Sequence, residues 1–242
     1  MGRHLIYGGN GGIGSAIARR LVGAGHEVVL AGRNRQELEA LAGELNSSFV
    51  ECDVTEPDAI EHAAGQAGDV LDGLVYAVGT INLKPFARLT EDDFLADFRL
   101  NALGAAQVVQ ASLSQLMKAP DGASVLLFST VAVEQGFSAH ASIAMAKGAV
   151  VGLTRSLAAE FAPKIRVNAI APSLIDTPLG QKVAGNPKMA DAVAKMHALP
   201  RLGTPDDVAA MGELLLTGAG AWITGQVFGI DGGRSTLRVM RS

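Results

Sequence analysis

The stretch Phe128 to Lys147, FSTVAVEQGFSAHASIAMAK, places hydroxyl, imidazole and ammonium groups within a short span of chain. It reads as a strand ending in Ser129-Thr130, a loop broken by Gly136, and an Ala-rich helix carrying Lys147. His140, Ile143 and Lys147 are spaced three and four residues apart, so they share one helix face. An imidazole titrates near neutral pH and suits proton transfer, and a helix start favours its neutral form. The other reading of His140 is a helix-start residue that is exposed or bonded to its loop. Ser138 and Ser142 also stand near the helix start, where such residues usually serve as caps. Ile143 lies between the polar groups, and an aliphatic side chain cannot move a proton.

A second chemical feature precedes these residues. Gly8, Gly12 and Gly14 separate the first strand from the first helix. A turn without Cβ atoms lets backbone approach a pyrophosphate at a helix N-terminus, although tight packing alone can also demand glycine. The next strand ends Ala31-Gly32-Arg33-Asn34. An acid there would suit a free ribose hydroxyl and an arginine suits a 2'-phosphate, so NADP(H) is favoured over NAD(H). The alternative for Arg33 is a solvated charge at a loop start.

These groups need a scaffold, and the apolar pattern supplies one. Short strand-like runs occur at 5–7, 27–31, 48–51, 73–78, 124–128, 165–170 and 226–230. Helical spacing fills the gaps, with helices expected at 35–45, 91–100, 102–117 and 206–216 and a start at Thr55-Glu56-Pro57. Residues 173–201 carry Gly, Asn and Pro signals and read as a mobile substrate segment with one or two short helices. Alternating strands and helices imply βαβ units. The expected fold is α/β, a doubly wound, mostly parallel seven-stranded Rossmann sheet with helices on both faces, as one domain over 1–242.

Composition narrows the function classes. Of the 242 residues 48% are hydrophobic and 18% charged, which fits a folded chain rather than a disordered one. The net charge of −4 argues against a nucleic-acid surface. Cys52 is the one cysteine, so neither an intramolecular disulfide nor a thiolate metal cluster is expected. The five histidines are dispersed without ligand spacing, and no metal site is expected. The chain opens on a strand-like segment and has no apolar run of membrane-spanning length, so a cytoplasmic location is expected.

Together the motifs resemble the short-chain dehydrogenase/reductase family over almost the whole chain. Its TGxxxGxG pattern matches Tyr7-Gly8-Gly9-Asn10-Gly11-Gly12-Ile13-Gly14, with Tyr7 in the Thr place. The resemblance implies that Gly8, Asn10, Gly12, Ile13 and Gly14 cradle a nicotinamide dinucleotide, with Arg33 and Asn34 beside its ribose. It gives Asp53-Val54 the adenine, and lines the cleft with Ala77, Val78 and Gly79. Arg166 to Ser173, followed by Ile175 and Thr177, is similar to the segment that holds the nicotinamide amide, with Pro172 included and Ser173 for the usual Gly. Arg201-Leu202-Gly203-Thr204-Pro205 and Ile223-Thr224-Gly225-Gln226 through Asp231-Gly232-Gly233 resemble the C-terminal signature.

The same resemblance assigns a catalytic set and marks where this chain departs from it. Asn101 matches the proton-relay Asn, Thr130 the substrate-binding Ser, and Lys147 the Lys that binds the nicotinamide ribose. Ile143 falls where the family has its proton-donating Tyr, a group whose like typically contributes 10²–10⁴-fold. The chain has two tyrosines, Tyr7 and Tyr76, and neither is in register to replace it. Those two are expected either to pack together and reshape the wall near the cofactor, or to fill space at strand ends. His140 is the candidate substitute donor. Two functions follow: an NADP(H)-dependent carbonyl or alcohol oxidoreductase with a rearranged proton path, or a cofactor-binding sensor or partner subunit without turnover. A lyase or isomerase with a bound nicotinamide is a weaker third. The substrate is expected to be small and apolar, and the family implies a homodimer or homotetramer.

Overall fold

Aliphatic and β-branched runs form the strands, and each strand sends alternate side chains to opposite faces. The computed structural model describes residues 1–240. The strands are β1 (Arg3–Tyr7), β2 (Glu27–Gly32), β3 (Ser48–Glu51), β4 (Gly73–Tyr76), β5 (Ala123–Phe128), β6 (Ile165–Pro172) and β7 (Val227–Ile230). They form one seven-stranded sheet in the order β3-β2-β1-β4-β5-β6-β7, and each adjacent pair is parallel. Sequence and structure therefore agree on the fold class, and the sheet is parallel throughout.

Two layers of helix cover this sheet. Helices α1 (Gly12–Gly23) and α2 (Arg35–Leu45) pack Ile17, Leu21, Leu38 and Leu41 against Ile6, Leu30 and Leu126. Helix α3 (Pro57–Gln66) covers the opposite face, where Ile60 meets Leu5, Leu74 and Val125. Leu5 and Ile6, adjacent in sequence, thus belong to different cores, as the two-residue strand period requires.

The expected pair of helices over 91–117 is one continuous path with a defect in it. Helix α4 (Glu91–Phe98) begins with a capping box on Thr90 and Asp93 and runs into a π-turn, Arg99–Leu103, which leads into α5 (Gly104–Met117). Such a turn leaves a carbonyl without its usual helical partner. Here the Tyr76 hydroxyl donates to the Leu100 carbonyl at 2.5 Å, and a Cβ on Gly104 would collide with that hydroxyl. The π-turn carries Asn101 into the interior, where it is fully buried.

Tyr7 and Tyr76 sit side by side in register on β1 and β4, both inside the core under α3 and α5. Neither lines the cavity described below, so they do not reshape the wall at the cofactor side. They fill space, with the Tyr7 hydroxyl donating to the Ile60 carbonyl at 3.4 Å. Strand β4 also stops at Tyr76 instead of reaching Val78.

Helix α6 (Ala141–Phe161) joins α3 and α5 on their face. The segment after β6 folds into α7 (Pro178–Ala184), capped by Thr177, and α8 (Pro187–Ala194), capped by Asn186. Helix α9 (Pro205–Leu216) starts with a capping box on Thr204 and Asp207 and packs on α1. Among the described residues, no helix is long and apolar enough to cross a membrane.

Candidate active site

Strand order reverses between β1 and β4, and the crevice outside the strand ends at such a point is where open α/β sheets bind ligands. The glycine turn after β1 lies there. Gly8 adopts φ +77°, and a Cβ on it would press on the Ala77 backbone at 2.9 Å. A Cβ on Gly14 would collide with the Gly8 carbonyl. Gly11 at the N-cap of α1 supplies no side-chain acceptor, so the first amides of the helix remain available to an anion. A pyrophosphate fits this turn on those grounds.

The other expected cofactor residues surround the turn. Arg33 extends into solvent at the end of β2, with Nη1 4.0 Å from Asp53 Oδ2. Asp53 accepts from the Thr55 amide at 2.9 Å and the Thr55 hydroxyl at 2.8 Å, which holds its carboxyl below the usual range. Val54 is buried beneath it. Asn34 caps α2 by accepting from the Glu37 amide, and Asn10 donates to the Glu37 carboxylate at 2.7 Å. The Asn10 amide therefore ties the glycine turn to the first turn of α2, which Asn34 caps. Ala77, Val78 and Gly79 follow β4 and line a cavity of about 410 Å³, together with Ile13, Pro172, Ile175 and Thr177.

Thr130, His140, Ile143 and Lys147 line the same cavity, so the structure brings three of the four catalytic candidates to one wall, while Asn101 is buried behind it. Lys147 is buried and donates from Nζ to the Phe128 carbonyl at 2.9 Å. Burial pulls its pKa down from 10.5 to about 8, with the Asp97 carboxylate opposing the shift. One acceptor for three N–H donors leaves the ammonium able to bind hydroxyls in the cavity. Ser129, by contrast, turns away and donates to the Lys147 carbonyl at 3.2 Å. Thr130 is half-buried, and its hydroxyl accepts from the Ala132 amide at 3.3 Å. His140 occupies the N-cap of α6 without capping it, and its Nδ1 lies 2.7 Å from the Ser138 carbonyl. Ile143, one turn on, is 3% exposed.

Asn101 does not stand alone. Its amide donates to the Asp97 carbonyl at 2.9 Å and the Thr80 hydroxyl at 3.2 Å. Asp97 is a buried carboxylate that accepts from Thr80 at 3.1 Å and from the Ser142 hydroxyl at 2.6 Å. Ser142 is therefore not a helix cap; it joins α6 to α4 through Asp97. Reasoning from sequence missed Asp97 and Thr80. The available signal was an acid four residues before Asn101 on the helix side that must face inward. Arg234 and Phe137, which also line the cavity, were missed as well.

A parallel sheet with a glycine turn at its switch point, opening on a cavity that Thr130 and Lys147 line, defines a Rossmann-type nucleotide-binding protein. Residues 8–235 match the family model described as enoyl-(acyl carrier protein) reductase. A tropinone reductase homologue of Arabidopsis thaliana is 33% identical, covering 95% of this chain and 78% of that protein. L-xylulose reductase of Bos taurus is 31% identical over 96% of this chain and 95% of its own length. Among solved structures, a short-chain type dehydrogenase/reductase from Mycobacterium ulcerans superposes with a TM-score of 0.91 at 28% identity, covering 98% of this chain and 90% of that one. An actinorhodin polyketide ketoreductase with NADPH superposes at 0.92 with 25% identity, covering 98% of each chain. The chain belongs to the short-chain dehydrogenase/reductase family and is an oxidoreductase of that type, using a nicotinamide cofactor on carbonyl or alcohol groups.

Proposed function

We propose that this chain is an NADP(H)-dependent oxidoreductase in which His140, in place of a tyrosine, moves the proton between solvent and the substrate oxygen. Ile143 stands one turn before Lys147, the position the family gives to its phenol, and its aliphatic chain has no proton to give. The observation that carries the reading is the hydrogen bond from His140 to the Ser138 carbonyl at 2.7 Å, made in the same cavity wall as Thr130 and Lys147. A carbonyl oxygen only accepts, so Nδ1 carries the hydrogen and Nε2 is the nitrogen that gains and loses a proton.

The nicotinamide supplies or accepts the hydride when bound. Lys147, with Asn101 behind it beside Gly79, would hold its ribose side, and the amides of the glycine turn its pyrophosphate. Thr130 orients the substrate oxygen through its hydroxyl. The apolar lining of Leu174, Leu179 and Val183 excludes water and favours a small apolar substrate. Arg33 supports the 2'-phosphate reading, because its exposed guanidinium stands at the β2 end with a long 4.0 Å contact to Asp53, which leaves N–H donors for a phosphate. The family relationship supports a homodimer or homotetramer of one nucleotide-binding domain.

The test is NADPH consumption with a panel of apolar carbonyl compounds, followed by the absorbance of the reduced nicotinamide. His140→Ala is expected to lower turnover at least tenfold. Unchanged turnover in that variant would remove His140 from the mechanism. Ile143 favours one other reading, a cofactor-binding protein that does not turn over. Under it the native chain binds NADPH without consuming it, and Ile143→Tyr creates carbonyl reduction.

A further inference from the structure

The cavity wall contains a cation besides Lys147 that the proton path does not use. Arg234 follows the Asp231-Gly232-Gly233 turn after β7 and is half-buried in that wall. Its Cζ lies 4.6 Å from the centroid of the Phe137 ring, and that ring meets the His140 imidazole edge-on at 5.3 Å. One aromatic ring thus separates the guanidinium from the proposed proton donor. Nη1 donates to the Ser173 hydroxyl at 3.3 Å and Nη2 meets the Met196 sulfur at 3.6 Å, both neutral acceptors. A guanidinium has five N–H donors, so most of its capacity is unspent.

Among the described residues Arg234 has no ion-pair partner, and no Asp or Glu lines the cavity. Asp231 acts on Arg234 electrostatically, but its oxygens already accept from the Gly233 amide at 2.9 Å, the Ser235 amide at 2.9 Å and the Ser235 hydroxyl. Burial lowers the guanidinium pKa, the sign of a charge only partly compensated by its surroundings. A cation held against apolar surface without an anion is costly, and a ligand anion would offset that cost.

We infer that Arg234 is the substrate-recognition group of this cavity, binding the carboxylate of an otherwise apolar oxo- or hydroxy-carboxylic acid whose reacting carbon sits on the His140 side of Phe137. This inference rests on the oxidoreductase reading for the oxo or hydroxy group and on the cavity alone for the carboxylate. The planar fork of Arg matches a carboxylate with two parallel hydrogen bonds, a geometry that the ammonium of Lys147 does not offer.

The experiment is isothermal titration of octanoate and of methyl octanoate into the protein, with and without saturating NADPH. Octanoate is expected to bind at least tenfold more tightly than the ester. Arg234→Met is expected to abolish that preference while leaving ester affinity within about twofold, the pattern of one lost charge-assisted contact. Arg234→Lys keeps the charge and loses the fork, and is expected to cut the preference at least threefold. It decides the matter if the Met variant does not fold. Equal binding of acid and ester by the native chain overturns the inference. So does a preference that survives in Arg234→Met, which would place the selectivity at Lys147, or an equal loss of both ligands, the mark of a clamp between Phe137 and Ser173. The readout is equilibrium binding, so absent turnover leaves it intact, and absent NADPH binding in the same instrument would count against the cofactor reading instead.

Discussion

Replacing Lys147 by Met should make the cofactor-free protein more stable near neutral pH, although it removes a residue the site depends on. The ammonium is buried, and burial lowers its pKa from 10.5 to about 8. At about 1.36 kcal/mol per pH unit, holding that charge in the folded chain costs about 3 kcal/mol. The hydrogen bond to the Phe128 carbonyl goes with the substitution, which removes about 1 kcal/mol of that gain. Methionine keeps the unbranched stem and adds no charge, so a net gain of about 2 kcal/mol is expected at pH 7.

The pH dependence separates this cause from simple repacking. Below pH 8 both folded and unfolded chains carry the proton, and the cost is fully present. Between about 8 and 10.5 the folded lysine releases its proton before the unfolded one, so the unfolded state binds more protons and native stability rises with pH. Cys52, pushed up to about 11 by burial, acts in the opposite direction above pH 9 but is common to both proteins and cancels in the difference. Urea unfolding of native and Lys147→Met protein at pH 7 and pH 9.5 is the assay. The advantage of the variant should shrink by about 2 kcal/mol between the two conditions. A variant less stable than the native chain at pH 7, or a difference that ignores pH, would refute the desolvation argument.

Three further expectations follow from other parts of the molecule. Ser142→Ala removes a 2.6 Å hydrogen bond to the buried Asp97 carboxylate and should cost about 1.5–3 kcal/mol in chemical denaturation, with NADPH binding still measurable. His4 is buried against His26, and burial first, then the His26 charge, lowers its pKa from 6.5 to about 3. The unfolded chain therefore takes up this proton first as pH falls, and stability should decline below pH 6.5 by up to about 1.4 kcal/mol per unit. A His4→Leu variant should show a flatter acid limb in thermal melts, and an unchanged limb would remove His4 as its source. Arg33→Ala should weaken NADPH binding by roughly tenfold or more and NADH binding by less than threefold, read by fluorescence titration.

What the residues themselves determined was the scaffold and the location of its openings. Alternating apolar runs and helical spacing are local signals, and the strands at 48–51 and helix at 35–45 fall where the pattern put them. The glycine turn was equally legible, because φ +77° at Gly8 and the close backbone beside Gly14 tolerate no side chain. The tertiary structure decided what distant residues do to one another. It sent Tyr7 and Tyr76 into the core, since strand parity and pairing, and not residue type, fix which face a side chain occupies. It made Ser142 a partner of Asp97, because α4 and α6 pack together beside the π-turn at Asn101, and no local pattern announces that defect. The segment from Phe128 to Lys147 supplied the reactive groups by sequence alone. Arg234 reaches the same cavity from the far end of the chain, because β7 lies one strand beyond β6 from β5 and the turn after it brings the guanidinium over Phe137 of the β5–α6 loop.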